Sequence, residues 1–254
     1  MKRILVLVAL LCLTFIPAIS TAAAVDVYVD SMGNQGNATG EVSDLPAWVV
    51  NPSIKSDEDL SLNFVGVEFK GDPWKLAAEY GKGDYDLKGS GQYVVWHHHR
   101  PRVHNFDYAQ SCDYSLYDVK LGYKVLGNDK YRTDLTLSYT HIDDSDNPMT
   151  GKTHATSIGV DVSYNFTDKI SAELDLAYAV DGASDDSMLP GTGIARKVED
   201  VDMKSAKLRL NYMFTDHIGA YLGYRYRGLE LEGGGARLWK SETSGAVIGV
   251  NYRF

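Results

Sequence analysis

From Ser205 to Arg227 apolar and polar residues alternate on both sides of one short break. Ala206, Leu208, Leu210, Tyr212 and Phe214 form an apolar row against Ser205, Lys207, Arg209 and Asn211. After Thr215-Asp216-His217 the alternation resumes, with Ile218, Ala220, Leu222, Tyr224 and Tyr226 against Gly219, Tyr221, Gly223, Arg225 and Arg227. A period of two predicts two β-strands joined by a tight turn. Each apolar row runs for about nine to eleven residues, the length a tilted strand needs to cross a bilayer. The tyrosines gather near the row ends, where interfacial aromatics sit. The polar rows then face a lumen.

The same unit repeats along the chain. The pattern predicts strands over Val25 to Asp30, Leu60 to Lys70, Lys75 to Asp86, Leu116 to Leu126, Tyr131 to Ile142, Thr153 to Phe166, Lys169 to Asp181 and Thr243 to Phe254. In the second of these the phase changes near Phe64, which suggests a bulge there. Polar stretches at 31–59, 87–115, 143–152, 182–200 and 228–242 read as loops, and they alternate with short turns such as 71–74 and 127–130. The expected fold is all-β: an antiparallel, transmembrane, up-and-down β-barrel of about ten strands, or eight if Val25 to Lys70 is not two spans. Gly66, Gly122, Gly159, Gly219, Gly223, Gly245 and Gly249 all fall in the inward row. Glycine there relieves the sharp bend and small interior volume of a narrow barrel.

The N-terminus adds a compartment. Residues 1–24 carry Lys2 and Arg3, then the apolar run Ile4 to Ile16, then Ala22-Ala23-Ala24. That is the layout of a secretory signal peptide cleaved after Ala24, leaving 25–254 as a single barrel domain. The 254 residues carry 25 Lys and Arg against 34 Asp and Glu, a net charge of −9, and loss of Lys2 and Arg3 makes the balance more acidic still. A nucleic-acid partner is therefore not expected. Cys12 leaves with the leader, so Cys112 has no intramolecular partner and no disulfide framework exists.

The leader, the alternating strands and the final Ile248-x-Val250-x-Tyr252-x-Phe254 resemble the small outer-membrane β-barrels, the group that includes the OmpA transmembrane domain and the Opa-like and OmpW-like proteins. The resemblance implies residence in the outer membrane. Outer-membrane lipid, lipopolysaccharide and the barrel-assembly machinery are the implied partners. It also implies that Ile248, Val250, Tyr252 and Phe254 form the signal which that machinery recognises.

Candidate chemistry changes this picture little. Trp96-His97-His98-His99-Arg100 with His104 is the most metal-like cluster, but adjacent histidines in an extended segment splay apart, and an aromatic and basic loop tip is the better reading. Asp84-Tyr85-Asp86 resembles the paired aspartates of omptin proteases, which join them to an Asp and His dyad in the fourth outer loop. Here that loop, 182–200, holds Asp185 and Asp186 but no His, so no base activates water. Asp143-Asp144-Ser145-Asp146-Asn147 lacks the full ligand spacing of a calcium loop. No catalytic, cofactor or metal site is assigned, and no extracellular ligand is identified.

The inward charges carry the functional expectation. Glu173 and Asp175 should lie at a depth similar to that of Lys207 and Arg209, with Arg225 and Arg227 adding positive charge and Asp161 negative charge from other strands. Unpaired charge in a narrow bore is costly, so these groups are expected to pair into a network that fills it. The expected function is a non-enzymatic envelope or surface-loop barrel, or a pore for small solutes. The rival is an outer-membrane hydrolase, an omptin-like protease or a lipid A modifying enzyme.

Overall fold

The computed structural model describes residues 24–41, 49–97, 100–144, 146–147, 150–189 and 194–254. The expected leader therefore lies outside the described residues except for Ala24. The elements are β1 (Ala24–Glu41), β2 (Val49–Lys70), β3 (Trp74–His97), β4 (Arg100–Gly127), β5 (Tyr131–Asp144), β6 (Gly151–Asn165), β7 (Ile170–Ser184), β8 (Ser187–Leu189), β9 (Ile194–Arg196), β10 (Asp200–Met213), β11 (Ile218–Gly233) and β12 (Ala236–Arg253). Ten of them close a barrel in the order β1, β12, β11, β10, β7, β6, β5, β4, β3, β2, and β8 pairs with β9 in a small hairpin outside it. Every neighbouring pair in the ring is antiparallel, and the ring closes where β1 pairs with β12, Asp26 opposite Arg253.

The outward rows form the predicted belt. Leu208 and Leu210 on β10, Leu222 on β11 and Ile248 and Val250 on β12 are each more than half exposed, an arrangement that only a hydrocarbon surround makes favourable. Aromatic rings pair at both rims of the belt. Trp74 with Tyr123, Tyr212 with Phe214 and Tyr252 with Phe254 sit beside the short turns, with centroids 4.8–5.3 Å apart. Tyr80 with Tyr117 and Tyr139 with His154 mark the other rim, at 4.9 and 6.1 Å. His141 stands outward beside Tyr117, its ring 6.1 Å away.

Beyond that second rim the alternation inverts. Tyr85 and Leu87 on β3, Cys112, Tyr114 and Leu116 on β4, and Leu229 and Leu231 on β11 turn inward and are buried. Polar residues such as Asp84 and Lys88 take the outer face. With Met32, Leu62, Phe64, Met203 and Trp239 they form an apolar core above the membrane. There the surround is water, so the hydrophobic effect now places apolar groups inside, each buried large side chain contributing about 1.5–3 kcal/mol.

This inversion corrects two expectations. The phase change at Phe64 is no bulge: β1 and β2 stay in register from Ala24 opposite Lys70 to Met32 opposite Leu62, and Phe64 simply belongs to the inward apolar set. Much of the expected loop at 31–59 and 87–115 is extended strand. β3 and β4 pair without a break from Trp74 opposite Tyr123 to His97 opposite Arg100. Likewise β11 and β12 run on to a turn at Gly234 and Gly235, both with positive φ, in place of the loop expected at 228–242.

Inward glycines are used as seats for rings. Tyr28 lies over Gly66, its register partner on β2, and Tyr221 lies over Gly249 on β12, where any Cβ would collide with the ring. The tyrosines so held are buried in the bore, 6.4 Å apart edge to face.

Candidate functional site in the barrel interior

Below the apolar core the bore is filled by charge. Each charged residue belongs to the inward row of its strand, so the period of two delivers it to the interior and closure of the barrel decides which partner it meets. Near the short-turn end Arg253 Nε lies 2.8 Å from Asp26 Oδ1, and Arg132 Nε donates to Asp134 at 2.8 Å. Above them Glu173 accepts from Arg209 at 2.5 Å and from Lys70 at 2.6 Å, and Lys75 Nζ bridges Asp161 at 2.6 Å and Glu68 at 3.1 Å.

The next layer centres on Glu79. Its two oxygens receive both terminal nitrogens of Arg225, at 2.5 and 2.7 Å, together with Lys207 Nζ at 2.9 Å and the Tyr28 hydroxyl at 2.8 Å. Arg225 also reaches Asp30 at 2.7 Å, and the Tyr221 hydroxyl donates to the same carboxylate oxygen. Higher still, Lys120 pairs with Asp175, and Arg227 Nη2 lies 3.6 Å from Asp118. The cationic groups are packed on rings as well, Arg225 over Phe64 with 3.9 Å to the centroid and Arg209 over Tyr28 at 5.2 Å.

Several of these pairs cross the full bore. β2 and β7, β3 and β10, and β4 and β11 are opposite members of the ring, so Lys70 with Glu173, Lys207 with Glu79 and Arg227 with Asp118 each join diametrically opposed walls. Among the described residues, cavities of about 60, 80 and 30 Å³ are stacked along the axis. Tyr28, Glu68 and Arg209 line both the first and the second, and Tyr114, Arg227 and Thr243 line both the second and the third.

All seven charges expected inward are found there. Arg209 meets Glu173, its register partner on β7, but Lys207 leaves its register partner Asp175 to cross to Glu79, and Asp175 takes Lys120. Asp161 takes Lys75. The charges of β1 to β4 that complete the network, Asp30, Glu68, Lys70, Lys75, Glu79, Asp118 and Lys120, were not singled out from sequence. Their signal is the same inward alternation, beside Tyr28 and Ala77, within the strand bounds that the pattern already gives.

Other candidates are placed elsewhere. Asp84 and Asp86 stand on the outer face of β3 on either side of inward Tyr85. His98 and His99 lie outside the described residues; His104 is exposed on β4. Among the described residues no group of His, Cys, Asp and Glu could hold a metal ion. Ile248, Val250, Tyr252 and Phe254 lie on the lipid-facing row of β12 and its end.

A closed antiparallel barrel with a lipid-facing belt, two aromatic rims and a charged interior is the fold of an integral outer-membrane β-barrel. Among solved structures, the outer-membrane protease OmpT of Escherichia coli is similar with a TM-score of 0.66 and 11% identity, over 92% of this chain and 99% of that one. Neisserial surface protein A matches at 12% identity over 92% of this chain and 100% of its own, TM-score 0.33. An outer-membrane channel from Pseudomonas putida F1 matches at 10% identity over 92% and 96%, TM-score 0.41. These last two likenesses are too loose to carry an argument. No family model and no curated relative matches the chain.

Proposed function

We propose that the chain is a non-enzymatic outer-membrane barrel whose bore is closed by its own ion-pair network, and which serves the envelope as a rigid wall element that raises a β-sheet surface above the membrane. The observation that carries this reading is the set of cross-bore pairs, Lys70 with Glu173, Lys207 with Glu79 and Arg227 with Asp118. A ten-strand bore has little more room than its side chains need, and here they meet in the middle. The apolar core at Leu116, Leu231 and Trp239 caps the same bore from the outer side. A hydrated ion-selective ring would leave its charges facing water, whereas these face one another.

Outer-membrane lipid and lipopolysaccharide surround the belt in this reading, and the barrel-assembly machinery recognises the row that ends at Phe254. That terminal row also supports a place beside the small barrels of the OmpA, Opa and OmpW type. Proteolysis is not carried over from the OmpT likeness, because a shared fold does not transfer a site, and Asp84 and Asp86 stand on the outer wall. The test is liposome swelling with the refolded protein in small sugars, run beside digestion of an unstructured substrate such as casein. No swelling above protein-free liposomes and no cleavage are expected. Rapid swelling would overturn the closed bore, and cleavage would overturn the non-enzymatic assignment.

A further inference from the structure

Above the second aromatic rim the strands no longer close a ring. β5 and β6 end together, Asp144 opposite Gly151, and β4 pairs with β5 only from Ser115, opposite Asp143. β3 and β4 continue past them, to His97 opposite Arg100. From Arg100 to Tyr114, β4 therefore has β3 on one side and, among the described residues, no strand on the other. At about 3.3 Å per residue this free edge is roughly 50 Å long. Arg100–Asn105, Asp107 and Ala109–Ser111 are exposed, so both faces of the edge strand meet water.

The ladder fixes which backbone groups that edge presents. The Lys124 amide donates to Pro73 O at 2.9 Å, and β3 pairs with β4 without a break, so the even-numbered residues of β4 turn their N–H and C=O toward β3. The odd-numbered residues turn away. The Asp113 amide donates to Asp146 Oδ2 at 3.3 Å, on the side of the β5–β6 connection. Beyond it Ser111, Ala109, Asp107, Asn105 and Val103 present N–H and C=O to the open side, and Pro101, near the tip, lacks the donor. Such a row is a template for a further strand, and proteins that do not use it blunt or cover it.

Charge and direction select the occupant. The edge is basic toward its tip, with Arg100, Arg102 and His104, and acidic toward the membrane, with Asp107 and Asp113. Two copies aligned in parallel would set Arg beside Arg and Asp beside Asp, whereas antiparallel copies lay the basic end of each along the acidic end of the other. β4 runs from the tip down to the membrane, so an antiparallel joint leaves the two barrels at its opposite ends. We propose that the β4 edge docks on the β4 edge of a second copy held in a facing membrane, pairing antiparallel across residues 101–111, so that the protein joins one membrane surface to another. One joint of this length is weak, but many act together where two membranes face each other. The pairing builds on the raised sheet of the proposed function and does not depend on the closed bore.

The test is vesicle capture. Dense liposomes carrying the refolded full chain are pelleted with light, fluorescent liposomes that carry the same protein or bare lipid alone. Protein-bearing fluorescent vesicles are expected in the pellet severalfold above bare ones. Ala109→Pro removes an N–H from the open side and leaves the ladder to β3, so capture should fall to the bare-lipid level while the barrel keeps its compact, folded mobility on gels. Arg100→Glu together with Arg102→Glu changes two exposed side chains and should lower capture severalfold. Equal capture of bare and protein-bearing vesicles would mean that the hairpin binds lipid, and this result, no capture at all, or full capture by Ala109→Pro would overturn the proposal. Swelling and casein digestion read the proposed function separately, so failure of capture alone leaves the closed, non-enzymatic barrel standing.

Discussion

Lys207 Nζ on β10 lies 2.9 Å from Glu79 Oε2 on β3, a strand on the opposite side of the ring. Neighbouring strands are joined by backbone ladders, but nothing local to either strand brings these two residues together. Their meeting is a property of the closed barrel, and it places ion pairs where a pore would need water.

Glu79 accepts from Arg225, Lys207 and the Tyr28 hydroxyl at once, so its removal should be felt more than removal of any one of its cations. Glu79→Ala leaves Lys207 and Arg225 buried with fewer partners, and a cost of about 3–5 kcal/mol is expected in urea unfolding of the protein in detergent. Lys207→Met should cost less, because Glu79 keeps Arg225. The reverse order would show that Glu79 is not the hub.

The lipid-facing assignment of β10 is tested at Leu210, which is 52% exposed. Leu210→Arg places a charge near the middle of the belt and should cost roughly 2–4 kcal/mol of folding into bilayers. Leu210→Phe should be nearly neutral. Equal behaviour of the two variants would mean that this row does not face hydrocarbon.

Phe254 makes few contacts: its ring packs edge-on against Tyr252 at 4.8 Å, and its amide bonds Val25 O at 2.9 Å. Deleting it should lower the amount inserted in cells much more than the yield of refolding in detergent, since a recognition signal is lost while little barrel contact is. Unchanged levels in the outer membrane would remove the assembly role from this residue.

Asp144 gives a pH dependence of definite sign. Its folded value of about 7 lies above the roughly 3.9 of an unfolded aspartate, so between those two the folded protein holds a proton that the unfolded chain has released. Its contribution is complete below about pH 4 and is lost as pH rises through about 7, with a slope of at most about 1.4 kcal/mol per unit. Urea unfolding of Asp144→Asn across this range should lack that component relative to the parent protein. Identical pH profiles would show that the titration does not belong to Asp144.

The membrane-spanning half of the fold was legible because hydrocarbon outside and charge inside give an alternation that hydropathy reads directly, as at Leu208, Leu210 and Arg209. The half above the membrane was not, because Leu87, Cys112 and Tyr114 reverse the phase and Lys88 and Asp113 then look like loop. The inward position of Lys207 was legible for the first reason. Its partner was not, since the alternation along a strand says which face a residue takes but not which opposite wall it reaches. Register alone pointed to Asp175, and closure of the ring supplied Glu79.

The most direct measurement of the closed bore is single-channel conductance of the refolded protein in planar bilayers, compared with a variant in which Lys207 and Arg209 are both changed to Ser. The unmodified protein should show only small or flickering conductance, because Lys207 with Glu79 and Arg209 with Glu173 occupy the bore. The double variant removes two long side chains and leaves both carboxylates partly unpaired, so its conductance should rise. A large, steady conductance from the unmodified protein would contradict the closed bore and make the chain a channel.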